Sequence, residues 1–134
     1  MTQDIIQRIA KIESTFLGFE DHGVLTATLH CNYGGSAQGV GGFVMSTRNQ
    51  STGRVEAHPA AGEFVIGILR ACGVRQWEHL KGRTIFALFA PDAGWNDQPI
   101  GIENLPTEPG ERFLFDDWRK LATQASAAHG LRQQ

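Results

Sequence analysis

Ten consecutive residues, Val24 to Tyr33, constrain this chain more than any other stretch. Leu25, Ala27, Leu29, Cys31 and Tyr33 alternate with Thr26, Thr28, His30 and Asn32. A period of two puts the first set on one side of a β-strand and the second on the other. One side must meet a core; the other is left for water or a ligand. Turn signals bound the strand at both ends, Glu20-Asp21-His22-Gly23 before it and Gly34-Gly35-Ser36-Ala37-Gln38 after it. A strand between two reverse turns needs antiparallel neighbours. Lys11 to Phe19, with Ile12, Ser14 and Phe16 in alternation, reads as one, and Gly39 to Met45 as the other. The Gly41-Gly42 pair marks a bulge, sharp curvature or close approach of another backbone.

The remaining chain supplies what covers the sheet. Ile5, Ile6 and Ile9 stand at helical spacing behind Asp4, which predicts a short capped helix over residues 2–10. Ser46 to Ala61 is polar and reads as a long loop. Glu63 to Cys72 is almost wholly apolar and predicts a helix that needs cover on more than one side, by the sheet and by a second subunit. Val74, Trp77 and Leu80 mark a second short helix ending at Gly82. Thr84 to Ala90 is apolar on both faces, as in a central strand. Pro91 to Asp97 is a loop, and Gln98 to Glu103 pairs back as a last strand. A C-terminal helix follows Asp116 or Asp117, with Trp118, Leu121, Ala122 and Ala125 on one face. The sum is an α+β domain: a mostly antiparallel sheet of about five strands, with two or three helices on one face. Residues 1–10 read as an N-terminal extension, 11–128 as a single domain and 129–134 as a disordered tail.

Composition narrows the function. Twelve basic against fourteen acidic residues give a formal net charge of -2. No basic run is present, so direct nucleic-acid binding is not expected. No apolar run approaches the ~20 residues that span a bilayer, and the N-terminus has no signal-like apolar region. The expectation is a cytoplasmic protein without a membrane segment. Cys31 and Cys72 are outside any CxxC pair and are expected as buried free thiols.

The polar chemistry gathers near the alternating strand. Glu20, Asp21 and His22 could form a metal or acid–base site with His30. Equally, Asp21 could cap the turn through its backbone amides while His22 stacks or hydrogen-bonds. Ligand spacing favours the turn reading, and no metal or cofactor is expected. Gly34 to Gly42 could cradle phosphate with backbone N–H groups, or could serve only a tight hairpin and a twisted strand. It has neither a dinucleotide fingerprint nor a Walker pattern. Gln38 offers donors and acceptors to a base or amide, and Trp95 beside Asn96 could stack on a planar ligand or cap the core. Trp77 and Trp118 read as core. His30 and Cys31 point to opposite faces and cannot form a dyad, so no catalytic residue is expected. The candidate ligand-binding residues are Glu20, Asp21, His22, Gly23, His30, Gly34, Gly35, Gln38, Trp95 and Asn96.

Three motifs carry a resemblance: Thr15-x-Leu17-Gly18-x-Glu20-Asp21-His22-Gly23, then Tyr33-Gly34-Gly35-x-x-Gln38-x-x-Gly41-Gly42, then Gly73-Val74-x-x-Trp77-Glu78-x-Leu80-x-Gly82. Over about residues 11 to 103 the chain resembles a family of small proteins encoded by phages and prophages. The resemblance implies a counter-defence role in the host cytoplasm, similar to the Thoeris anti-defence sponges that hold a nucleotide signal between subunits without chemistry. It implies a homo-oligomer that sequesters a small anionic or nucleotide ligand. Two alternatives stay open. One is an anti-CRISPR-like inhibitor of a host defence protein, using Glu13, Glu20, Asp21, Asp116 and Asp117 as an acidic surface. The other is a metal-dependent hydrolase built on Glu20, Asp21, His22 and His30.

Overall fold

The computed structural model describes residues 4–20, 23–94, 97–108 and 110–133, the last eight as helical backbone only. The fold is α+β: a large antiparallel sheet with two helices packed on one face. Among the described residues eight strands form, β1 (Ile6–Phe19), β2 (Leu25–Asn32), β3 (Ala37–Val44), β4 (Ser46–Arg48), β5 (Val55–Ala57), β6 (Thr84–Phe89), β7 (Gly101–Glu103) and β8 (Arg112–Leu114). The helices are α1 (Ala61–Cys72) and α2 (Phe115–Gln133). Six strands make the main sheet in the order β3-β2-β1-β6-β7-β8, and β4 pairs with β5 separately.

The first strand corrects the N-terminal expectation. Ile6 to Ala10 are not helical; they form the first part of β1 and pair with β6 from Ile6↔Phe89 to Lys11↔Thr84. Lys11 to Phe19 pair with β2 on the other side. The partners override helical spacing because each backbone group then joins a ladder. The polar stretch 46–61 is also not a simple loop. Its β4–β5 hairpin is closed by Asn49, whose carboxamide oxygen accepts from the Ser51 and Thr52 amides. The expected helix near Trp77 is a single 3-10 turn, Trp77–His79. β8 is a sixth strand of the main sheet; its three residues are too few to show a period. α2 continues beyond residue 128, where the domain was expected to end.

Two bulges set which side chains meet the core. In β1 the register shifts between Ile12 and Ser14. Glu13 and Ser14 are therefore both exposed, Ile12 is in the core, and Phe16 moves to the face away from the helices. A one-residue slip flips every later side chain. In β3 the shift falls opposite Thr26 and Thr28. Gly41 and Gly42 take φ of 93° and 79° there. The added residue lets both Val40 and Phe43 reach the core side.

That core lies between the sheet and the helices. Ala27, Leu29, Cys31, Ile12 and Ile85 meet Phe64 and Ile68 of α1 and Trp118 of α2. Phe64 packs edge-on to Phe43, Phe113 and Trp118 at 5.8, 5.6 and 5.0 Å. Trp118 donates from Nε1 to the Ala60 carbonyl at 2.8 Å, tying α2 to the start of α1. α1 is covered by the sheet and α2, with Ile66 left 38% exposed beside Leu121. Arg83 donates to the Cys72 carbonyl, Asn104 and Glu108, and so fastens the loop before β6 to the end of α1. Across the other face, Glu103 accepts from Gln7 and from Arg112. The Arg112 hydrogen bond, with the one from Gln7, holds the Glu103 carboxyl below its ordinary range.

Gly101 sits where β7 meets β8, and a Cβ there would drive into the Phe113 carbonyl. Gly62, in the first turn of α1, faces open space. Gly101→Ala is expected to lose at least about 1–3 kcal/mol, whereas Gly62→Ala should gain up to about 1 kcal/mol. Urea denaturation of the two variants checks the packing; equal stabilities would contradict it.

Candidate functional site

The β1–β2 hairpin encloses an open cleft of about 540 Å³, lined by Phe16, Phe19, Glu20, Thr28 and His30. The volume is in the range of small-molecule sites. Phe16 stands here because of the Glu13 bulge, and pairs directly with Thr28. Phe19 is 65% exposed at the end of β1. Thr28 and His30 are two apart on β2 and share its non-core face. Glu20 is presented by the hairpin turn: its amide donates to the Val24 carbonyl at 2.8 Å, and its own carbonyl accepts from the Gly23 amide at 2.9 Å. Gly23 takes φ 77°, which only glycine adopts readily.

Glycine keeps the cleft floor clear. A Cβ on Gly39 would lie 3.3 Å from the Thr28 methyl, and one on Gly42 would lie 3.2 Å from the Thr28 hydroxyl. A flat ring can therefore approach β2 and β3 from this side. The side chains of Glu20, Thr28 and His30 make no hydrogen bond among the described residues, unlike those of Gln38, Asn32 and Tyr33. Three polar groups with unused hydrogen-bonding capacity thus line one cleft together with Phe16 and Phe19.

The other predicted residues lie elsewhere. The Glu20 turn and the Gly34-Gly35 turn stand at opposite ends of β2, about 26 Å apart at ~3.3 Å per residue over its 8 residues, while Gln38 pairs with Cys31, beside His30, but does not line the cleft. The acidic turn and the glycine loop therefore do not share a rim within one chain. Antiparallel hairpins at the two ends of one strand must diverge in this way. The glycine loop is also occupied internally. The Gly34 amide donates to Asn32 Oδ1 at 2.7 Å, and Tyr33 donates to Gln38 Oε1 at 2.7 Å. Gln38 Nε2 in turn donates to the Asp97 carbonyl at 3.2 Å, tying β3 to the loop after β6. At this pole Arg8 stacks on Tyr33 and Phe89, with its guanidinium carbon 5.3 and 4.9 Å from the ring centres. Asp21, His22, Trp95 and Asn96 lie outside the described residues.

Of the predicted set, the structure brings Glu20 and His30 together, and Gly23 joins Glu20 through a backbone hydrogen bond. Phe16, Phe19 and Thr28 were missed as site residues. The Gly41-Gly42 pair was a visible signal of a bulge, but nothing in Ile12 to Phe16 announced the one in β1. Among the described residues no three His, Cys, Asp or Glu side chains are grouped to hold a metal. The carboxylates considered as an acidic surface are divided, Glu13 and Glu20 on the sheet side, Asp116 and Asp117 on α2. No described helix is long and apolar enough to cross a membrane.

The two thiols belong to the core. Burial pushes both Cys31 and Cys72 up to about 12. His30 lies on the opposite face of β2 from Cys31 and does not serve that sulfur as a base. Compared with known proteins, the chain matches no family model, no curated protein and no solved structure.

A thiol reagent at pH 8 should leave Cys31 and Cys72 unmodified in the native protein and label both in urea. The raised thiol values also make the fold lose stability as pH climbs from the unfolded thiol range near 9 toward 12, because only the unfolded chain then gives up its protons. Rapid native labelling would contradict this placement.

Proposed function

We propose that this is a non-catalytic binding protein that sequesters a small nucleotide-type ligand, of the counter-defence kind its sequence motifs resemble. The observation that carries the reading is that Glu20, Thr28 and His30, each with hydrogen-bonding capacity to spare, line one cleft with the aromatic residues Phe16 and Phe19. An aromatic ring holds a planar base by stacking, and neighbouring polar groups read its edge. The described lining carries no Lys or Arg, so the cleft takes the base and leaves the phosphate toward solvent. Sequestration asks only that the ligand stay bound; no side chain need donate a nucleophile.

The test is to purify the protein, denature it and identify released small molecules by mass spectrometry, then titrate it with the four ribonucleoside 5′-monophosphates. A ligand should bind and be recovered unchanged. Phe16→Ala with Phe19→Ala should weaken it by about ten- to a hundredfold, the worth of stacking at one or two rings. Conversion of the bound molecule into a product would overturn the non-catalytic reading. Failure of all nucleotides to bind would overturn the ligand class.

A further inference from the structure

Resting on that reading, we infer that the cleft selects guanine-type bases, through paired donation from the base to the Glu20 carboxylate. Glu20 is the one anionic group in the described lining, and its side chain has no partner among the described residues. A carboxylate only accepts hydrogen bonds, and it accepts them through two oxygens side by side. The base edge that matches offers two adjacent donors. Guanine does so, with a ring N–H beside an exocyclic amino group. Adenine and cytosine place an unprotonated ring nitrogen beside their amino group and would set a lone pair against a carboxylate oxygen. Uracil has a ring N–H but flanks it with carbonyls, which the carboxylate repels.

The rest of the lining fits the same choice. Guanine leaves acceptors on its opposite edge, the carbonyl oxygen and a ring nitrogen. The Thr28 hydroxyl and one His30 ring nitrogen can each donate, and both stand on the β2 floor while Glu20 stands at the rim. Donors and acceptors are thus sorted to different sides of one slot. The slot is as wide as it is because Gly39 and Gly42 put no side chain beside Thr28. A larger residue at position 39 would narrow the place where the base lies.

The experiment is a titration of guanosine, adenosine, cytidine and uridine 5′-monophosphates into wild type, Glu20→Gln and Glu20→Ala, followed by calorimetry. Circular dichroism confirms that each variant is folded. Wild type should prefer the guanine nucleotide by about ten- to a hundredfold, the worth of hydrogen bonds to a charged acceptor. Glu20→Gln offers one acceptor beside one donor, the pattern complementary to adenine. It should lose the guanine preference and gain affinity for the adenine nucleotide, which Glu20→Ala should not. Tighter binding of adenine, cytosine or uracil nucleotides to wild type would overturn this inference while leaving nucleotide capture standing. So would a guanine preference that survives Glu20→Gln. No binding by any of the four would remove both.

Discussion

The structure depends on β1 being shared. It is the only strand of the main sheet long enough to pair with β6 through its first half and β2 through its second. Where one partner gives way to the other, Ile12 still exchanges backbone hydrogen bonds with the turn before β6, through the Arg83 carbonyl and the Gly82 amide. One extra residue, Glu13, is accommodated just beyond that point. The cost of the bulge is local, because Glu13 and its neighbour Ser14 both face water. Its consequence is not local: every residue after it changes face.

That phase change connects folding to the site. Without it Ile12, Ser14 and Phe16 would share the core side, leaving a serine facing the buried aliphatics. With it, Thr15 turns inward, where its hydroxyl accepts from Trp77 Nε1 at 3.0 Å. Phe16 then turns outward, next to Thr28. The β3 bulge works in the same sense, sending Phe43 inward to the aromatic cluster of Phe64, Phe115 and Trp118. Two irregularities therefore complete the core on one side of the sheet and open a slot on the other.

These features explain what could be read from the residues alone. The face assignment of β2 was legible because its alternation is unbroken and its inward members are all apolar or small. The helix α1 was legible from its apolar face and from Gly73, which takes the left-handed conformation at its end. Residues 6–10 were not, because Ile6 and Ile9 fit a helical stripe and only their pairing with β6 decides otherwise. The hairpin of β4 and β5 hid in polar sequence for a related reason: its strands are short and rest on turn hydrogen bonds rather than on a hydrophobic face. Glu20 and His30 were identifiable from residue type. That they share a cleft, which Gly34 and Gln38 do not line, follows from the strand register and from hydrogen bonds that no local pattern encodes.

The central claim is that the ligand lies on the helix-free face of the β1–β2 hairpin. The most direct measurement is a ¹⁵N-resolved NMR titration with guanosine 5′-monophosphate. The account predicts that shifted amides cluster at Phe16, Phe19, Glu20, Thr28 and His30, with those of Gly34 and Gly35 unmoved. Shifts centred on the glycine loop, or on the α1 and α2 surface, would contradict it.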